Sequence, residues 1–160
     1  HIPDIRLLIA GYGPAERSLR QCSEELGQTA RVQFLGTFDY EQLPAIVSQA
    51  DVGITTALAG STFRHYATPL KIIEYMAAGL PVIASRLGQT EIIMQESQAG
   101  VLIENTPDDF AQAARNLLLN PVFYQQCSEA ALHYAEKFDW DTLLENAYQV
   151  VSSVIEEGQP

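Results

Sequence analysis

Ala67-Thr68-Pro69-Leu70-Lys71-Ile72-Ile73-Glu74-Tyr75-Met76-Ala77-Ala78-Gly79-Leu80-Pro81-Val82-Ile83-Ala84-Ser85 reads as a helix with a set start and stop that feeds a buried strand. Thr68 can cap the helix, and Pro69 suits the first helical position, where a missing N–H costs nothing. Gly79 can end it in the left-handed conformation, and Pro81 prevents it from resuming. Nearly every side chain between is apolar. Lys71 and Glu74 are the only charges, and at this spacing they share one face. Lys71 falls in the first turn, where the helix dipole favours anions over cations. It is either a lysine reaching solvent over an apolar stem or a contact to an anion held at the helix start, a ready-made phosphate site. Glu74 cannot neutralise a phosphate. It can accept hydrogen bonds from sugar hydroxyls, as acidic side chains do with ribose in dinucleotide folds. Phosphate at the helix mouth and ribose at a carboxylate together describe a nucleotide.

Outward from this stretch the chain alternates strand and helix. Strands are expected at 6–10, 32–35, 52–55, 82–84 and 101–103, mostly short continuous apolar runs of the kind that form parallel strands covered on both faces. Helices are expected at 15–26, 42–49, 69–78, 90–96, 107–119, 122–137 and 141–155. The helix after Thr106 has a clear start, with Thr as cap, Pro107 next, then Asp108 and Asp109 at its positive end. This rhythm predicts an α/β fold: a doubly wound parallel sheet, three layers α/β/α, with C-terminal helices. Ligands on such sheets bind at the carboxyl ends of the strands. The loops after Ala10, Leu35, Thr55 and Ala84 are therefore the candidate site.

Composition narrows the classes. The 160 residues suit a single domain. A net charge of −11 argues against a nucleic-acid binder, which needs clustered Lys and Arg, and against docking on anionic lipid. Cys22 and Cys127 form no disulfide framework, which fits a reducing cytoplasm. No apolar run approaches the roughly 20 residues that span a bilayer, and no signal peptide is visible. His1, His65 and His133 are scattered, and no Asp, Cys or His cluster has metal-ligand spacing. No pair of carboxylates reads as a glycosidase centre. Gly11-Tyr12-Gly13 supplies two glycines of a dinucleotide fingerprint, but Glu16 stands at the third, and Phe34-Leu35-Gly36 offers no acid for the ribose of NAD. The two glycines read instead as a tight strand-to-helix turn. His1-Ile2-Pro3 does not look like a natural start, so the chain is expected to be a fragment.

Glu74-Tyr75-Met76-Ala77-Ala78-Gly79-Leu80-Pro81-Val82-Ile83-Ala84-Ser85 resembles the pattern E-A-M-A-x-G-x-P-V-I-A-S of the retaining, nucleotide-sugar-dependent glycosyltransferases of GT-B architecture, family 4. The resemblance runs along the chain through Leu7-Leu8-Ile9-Ala10-Gly11-Tyr12-Gly13-Pro14, Val32-Gln33-Phe34-Leu35-Gly36, Ala50-Asp51-Val52, Gly100-Val101-Leu102-Ile103 and Phe138-Asp139-Trp140. It implies a Rossmann-like C-terminal half of a GT-B enzyme: residues 1–160 as one donor-binding domain, lacking the acceptor-binding N-terminal domain and the first strand–helix unit. It implies that Glu74 holds the donor's ribose, that Leu70 and Lys71 face the diphosphate, that Thr37 and Phe38 meet the base, and that Gly11 and Gly13 let the donor approach. No metal or other cofactor is implied. Gly88 and Glu91 fall in the family's G-G-x-x-E turn, with Gln89 in place of the second glycine, and Glu91 reads better as a first-turn helix acid.

Two departures bear on activity. Tyr66 stands where the family often has a glutamate beside the donor sugar, and Arg64 and His65 are its polar neighbours. The stretch 57–66 reads either as a loop facing the sugar or as a surface loop with incidental charges. The Arg and Lys that clamp the diphosphate in the family belong to a unit before His1. The implied parent enzyme transfers a sugar from a nucleoside-diphosphate sugar to an acceptor with retention. It works in the cytoplasm or at the inner membrane through the missing domain. A GT-B nucleotide-sugar epimerase and a non-catalytic nucleotide-binding module are the alternatives. A sheet without its first strand would also leave an edge open to self-association.

Overall fold

The computed structural model describes residues 4–56 and 69–157. The chain forms two compact units, His1–Ala50 and Asp51–Pro160.

The first unit holds strand β1 (Leu7–Ala10), helix α1 (Glu16–Glu25), strand β2 (Val32–Gly36) and the short helix α2 (Leu43–Val47). β1 and β2 run parallel, with Leu7 opposite Val32, Ile9 opposite Phe34 and Ala10 opposite Gly36 across a local irregularity. Single 3-10 turns at Thr29–Arg31 and Tyr40–Gln42 were not expected from the sequence. The second takes the start of the helix expected at 42–49. Gln42 folds back so that its side-chain oxygen accepts from the Asp39 N–H at 2.9 Å. Arg20 anchors α1 to β2. Its guanidinium lies 4.1 Å over the Phe34 ring and also pairs with Glu16 one turn back at 2.8 Å.

The second unit holds strand β3 (Gly53–Thr55), helix α3 (Leu70–Ala77), strand β4 (Val82–Ser85), helix α4 (Gly88–Ser97), strand β5 (Gly100–Ile103), and helices α5 (Pro107–Leu119), α6 (Pro121–Ala135) and α7 (Trp140–Glu157). The strands form one parallel sheet in the order β3-β4-β5. β4 is central, and all four of its residues are buried, as the apolar run Val82-Ile83-Ala84 predicts. Its alternation divides the core. Val82 and Ala84 join Ile72 and Met76 of α3, Met94 of α4 and Tyr134 of α6. Ile83 points the other way, to Ala113 and Leu117 of α5 and Cys127 of α6. Burial pushes the Cys127 thiol up, away from reactivity. Helices thus cover both faces of this sheet, giving the three layers within the unit.

Helix ends follow their local chemistry. Thr106 caps α5 by accepting from the Asp109 N–H at 3.1 Å, as expected. Asn120 does the same for α6 from Phe123, also at 3.1 Å, so α6 begins at Pro121, one residue before the expected start. α3 stops as Gly79 and Pro81 foretell. Gly79 has φ +73, its N–H donates to Met76 O at 2.9 Å, and the Leu80 N–H donates to Tyr75 O at 3.0 Å. Those two bonds make a Schellman motif. The start of α3 differs from expectation. Pro69 has φ −73 and ψ 110, an extended conformation, so it precedes the helix rather than opening it. The expected cap, Thr68, lies outside the described residues.

Two glycines let the sheet close. A Cβ at Gly53 would lie 2.5 Å from the Tyr75 ring, so β3 and α3 meet only because that Cβ is missing. Gly100 has φ +154, and a Cβ there would overlap the Val82 backbone.

Candidate functional site

In the second unit the site begins at the first turn of α3. The opening N–H groups of a helix have no intrahelical acceptor, and Pro69 has none to give, so Leu70 and Lys71 supply the first of them. Both side chains are exposed. Glu74 follows one turn later and is half-buried. The reason lies in the helix period: Ile72 and Met76 take the core-facing positions with no exposure at all, and this turns Lys71 and Glu74 outward. The two share a face, as expected, yet no ion pair joins them, and neither side chain makes a hydrogen bond or ion pair with another described residue. Glu74 therefore presents carboxylate oxygens not used by the fold, beside a helix start that favours anions. Its neighbour Tyr75 packs on Gly53, and burial, then the Glu74 charge, pushes the Tyr75 hydroxyl up. A carboxylate in this state can accept two hydrogen bonds from a vicinal diol.

The carboxyl ends of β4 and β5 are tied to each other. The Arg86 N–H donates to Ile103 O at 2.9 Å, and the Ser85 hydroxyl donates to the Asn105 side-chain oxygen. The Arg86 side chain bridges Glu104 and Glu91, each at 2.7 Å. Hydrogen bonds to Glu91 and then Glu104 hold its guanidinium firmly charged. Glu91 is thus the first-turn acid of α4, bonded to an arginine, as the plainer sequence reading had it. Gly88 opens α4 with φ +52, and Gln89 is already helical. Arg86 and Glu104 were not singled out from the sequence. Their signal was available, since both directly follow strands at the carboxyl edge where ligand loops gather.

In the first unit Gly11 has φ +112, and its N–H donates to Gly36 O at 2.7 Å. The loops after β1 and β2 are thereby brought side by side. Gly13 O accepts from the Glu16 N–H at 3.0 Å, closing the turn into α1. Among the described residues, nothing beyond the adjoining residues lies within 4 Å of where a Cβ would sit on Gly11 or Gly13. Thr37 is exposed and Phe38 half-buried, directly after β2. Arg64, His65 and Tyr66 lie outside the described residues. Among the described residues no three His, Cys, Asp or Glu side chains converge as metal ligands. No described helix is long and apolar enough to cross a membrane.

The chain is similar to known proteins along most of its length. The family described as glycosyl transferases group 1 matches residues 1–120. The chain is 28% identical over 156 residues to a phosphatidyl-myo-inositol mannosyltransferase of Mycobacterium leprae, covering 97% of this chain and 40% of that protein. It is 30% identical over 164 residues to a D-inositol 3-phosphate glycosyltransferase of Corynebacterium urealyticum, covering 96% of this chain and 37% of that one. The chain therefore spans about two fifths of the length of these curated relatives. Among solved structures, Anabaena Alr3699/HepE in complex with UDP superposes with a TM-score of 0.79 at 19% identity, over 95% of this chain and 42% of that one. Sucrose-phosphate synthase of Thermosynechococcus elongatus gives 0.76 at 23%, over 96% of this chain and 39% of that one. These likenesses show the fold, the Rossmann-like α/β fold expected from the strand–helix rhythm.

Proposed function

Because the chain belongs to the group 1 glycosyl transferases, we propose that it is the donor-binding part of a longer enzyme. That enzyme transfers a sugar from a nucleoside-diphosphate sugar to an acceptor with retention of configuration. The observation that carries this reading is Glu74: half-buried, its carboxylate unbonded to any described residue, and one turn beyond the open start of α3. In this reading its carboxylate accepts the ribose hydroxyls. The N–H groups of Leu70 and Lys71 face the diphosphate, and the Lys71 ammonium adds the positive charge that Pro69 cannot supply through an N–H. Charge builds on the diphosphate as the glycosidic bond breaks, and prepositioned N–H dipoles at a helix start stabilise it without reorganising. The leaving diphosphate then assists the incoming acceptor, and this keeps the configuration. No metal is assigned a role. For the first unit, taken by itself, the reading gives Thr37 and Phe38 backbone groups that meet a base and leaves the space beside Gly11 and Gly13 for a ligand. Arg64, His65 and Tyr66 are assigned to the loop near the donor sugar.

Two features support the donor class. The named relatives are sugar transferases, one of their group being GDP-mannose-dependent by name, and the Anabaena structure holds UDP. The parent enzyme is assigned to the cytoplasm or the inner membrane face, with an acceptor-binding N-terminal domain as this chain's partner. The test is titration of the chain with UDP, GDP and ADP, followed by NMR. At least one should shift the resonances around Glu74, and silence with all three overturns the reading. In the full-length enzyme, Glu74→Ala should weaken donor affinity by about tenfold or more, ~1.4 kcal/mol. Turnover of a nucleotide sugar to its epimer without an acceptor would assign the parent to another reaction.

A further inference from the structure

Glu74 can hold a ribose only if α3 is turned so that its carboxylate faces the ligand, and the residue beside it sets that turn. Ile72 and Met76 stand one helical turn apart and give α3 a single line of contact with the core. A helix resting on one line can still roll about it. Ile73 and Tyr75 flank that line on opposite sides. Tyr75 meets a backbone that cannot give way. A Cβ at Gly53 of β3 would lie 2.5 Å from the Tyr75 Cγ and Cδ2 and 2.8 Å from its Cβ. These atoms are at the root of the side chain. Cβ is fixed by the helix, and Cγ moves only with χ1, whose choices in a helix are few. The contact therefore couples the α3 backbone to β3.

Both partners are held from behind. The Gly53 N–H donates to Pro81 O at 2.9 Å, in the link between α3 and β4. The Tyr75 carbonyl accepts from the Ala78 N–H at 3.1 Å and the Leu80 N–H at 3.0 Å. Glu74 is the next residue, about 100° round the axis, so its direction follows from where Tyr75 rests. We propose that Tyr75, seated on Gly53, is the positioning residue that fixes the roll of α3 and so aims Glu74 at the ribose hydroxyls of the donor. The proposal rests on the donor reading above. The thickness of the ring is the quantity that matters. Without it α3 settles toward β3 and turns. The Glu74 carboxylate lies far from the helix axis and moves most. The N–H groups of Leu70 and Lys71 lie close to the axis and move least. Loss of the ring should therefore be felt at the diol and not at the diphosphate.

UDP, GDP and ADP, each beside its 2′,3′-dideoxy counterpart, test this by titration of the chain. Each pair shares its base and diphosphate, so the ratio of the two affinities isolates the diol. The unsubstituted chain should prefer the diol by about tenfold or more with at least one pair, and Glu74→Ala should abolish the preference. Tyr75→Ala should lower it to about threefold or less while the dideoxy affinity holds. Tyr75→Phe, which keeps the ring on Gly53, should restore it. Where Tyr75→Ala does not fold, Gly53→Ala/Tyr75→Ala takes its place. Its added methyl fills part of the space without matching the ring, and it should show the same lost preference. Full preference in the ringless variant overturns the proposal and leaves the donor reading standing. So does an equal loss with both members of a pair, which makes Tyr75 a merely structural residue. Loss of the preference in Tyr75→Phe also overturns it, since the hydroxyl and not the seated ring would then be responsible. A preference that survives Glu74→Ala, or is absent from the unsubstituted chain, sinks the ribose reading and this proposal with it.

Discussion

Helices α3 and α7 both present an apolar stripe, yet Ile72 and Met76 of α3 are wholly buried while Trp140 and Val151 of α7 stand mostly in water. The difference lies in what the chain does next. α3 sits between β3 and β4 in sequence, and its short link to β4 draws its stripe onto the sheet. α7 follows the 3-10 turn Glu136–Phe138 and leads to no described strand, so nothing carries it onto the sheet in the same way. A helical period shows which side chains share a face. It does not show what covers them. The outward faces differ as well. That of α3 holds two charges free of described partners, the place proposed for the donor nucleotide, and that of α7 is polar and acidic.

The contrast can be broken or sharpened by substitution. The largest effect is expected inside the α3 core. Met76→Ala should cost about 2–5 kcal/mol in urea unfolding, and a loss under about 1 kcal/mol would show that α3 is no better anchored than α7. Tyr134 comes next. It packs in the same core and donates to Glu96 at 2.8 Å. Tyr134→Phe should cost about 1.5–3 kcal/mol, the range for a hydrogen bond to a charged group. Burial first, then the bond to Glu96 and its charge, push the Tyr134 hydroxyl up to about 12 from 10.0. The folded state therefore favours the neutral phenol. Its contribution is fully present below pH 10 and is lost as pH rises through about 12. Tyr75 and Tyr124 are also raised, so Tyr134→Phe should make the alkaline loss of stability shallower without abolishing it. Unfolding measured across that pH range checks this, and an unchanged slope would remove Tyr134 from the account.

Gly79→Ala should cost about 1–2 kcal/mol, because alanine must adopt φ +73 to end α3. Thermal unfolding would register it, and a neutral result would mean that the helix can stop another way. The smallest effect belongs to α7. Val151→Ser should change chain stability by no more than about 0.5 kcal/mol. A larger loss in the isolated chain would show that the stripe is already covered and would erase the contrast between the helices.

The strands were legible because each parallel strand is a short apolar run bounded by turn residues. The observed limits differ from the expected ones by a residue or so, as at Gly53 and Ser85. Helix stops and starts were legible where one residue carries the signal, as with Gly79 and Thr106. Asn120 before Pro121 repeats the Thr106-Pro107 signal and could have been read the same way. The backbone at Pro69 was not legible, since a proline fits both just before a helix and at its first turn. Nor was the state of Lys71 and Glu74. Spacing puts them on one face, but whether they bond depends on rotamers and solvent. The crossings at Gly53 and Gly100 depend on residues distant in sequence, Tyr75 and Val82, and a strand glycine alone does not name its neighbour. The ion pairs of Arg86 were missed for the same reason: Glu104 arrives from the next strand.

The tight end of α3 also imposes a rule on chain length. The helix closes on Gly79, Pro81 follows, and β4 begins at Val82 in register with both neighbouring strands. No slack remains in which an added or deleted residue can be absorbed. One extra residue in α3 after Glu74 would rotate everything before it by about 100°, carrying Glu74 away from its half-buried position while β4 stayed where its hydrogen bonds hold it. The segment is therefore expected to accept changes of residue at its exposed positions far more readily than changes of length. A library of single insertions and deletions across residues 70–85, sorted for folded protein, should be nearly empty where the matching library of surface substitutions is well populated.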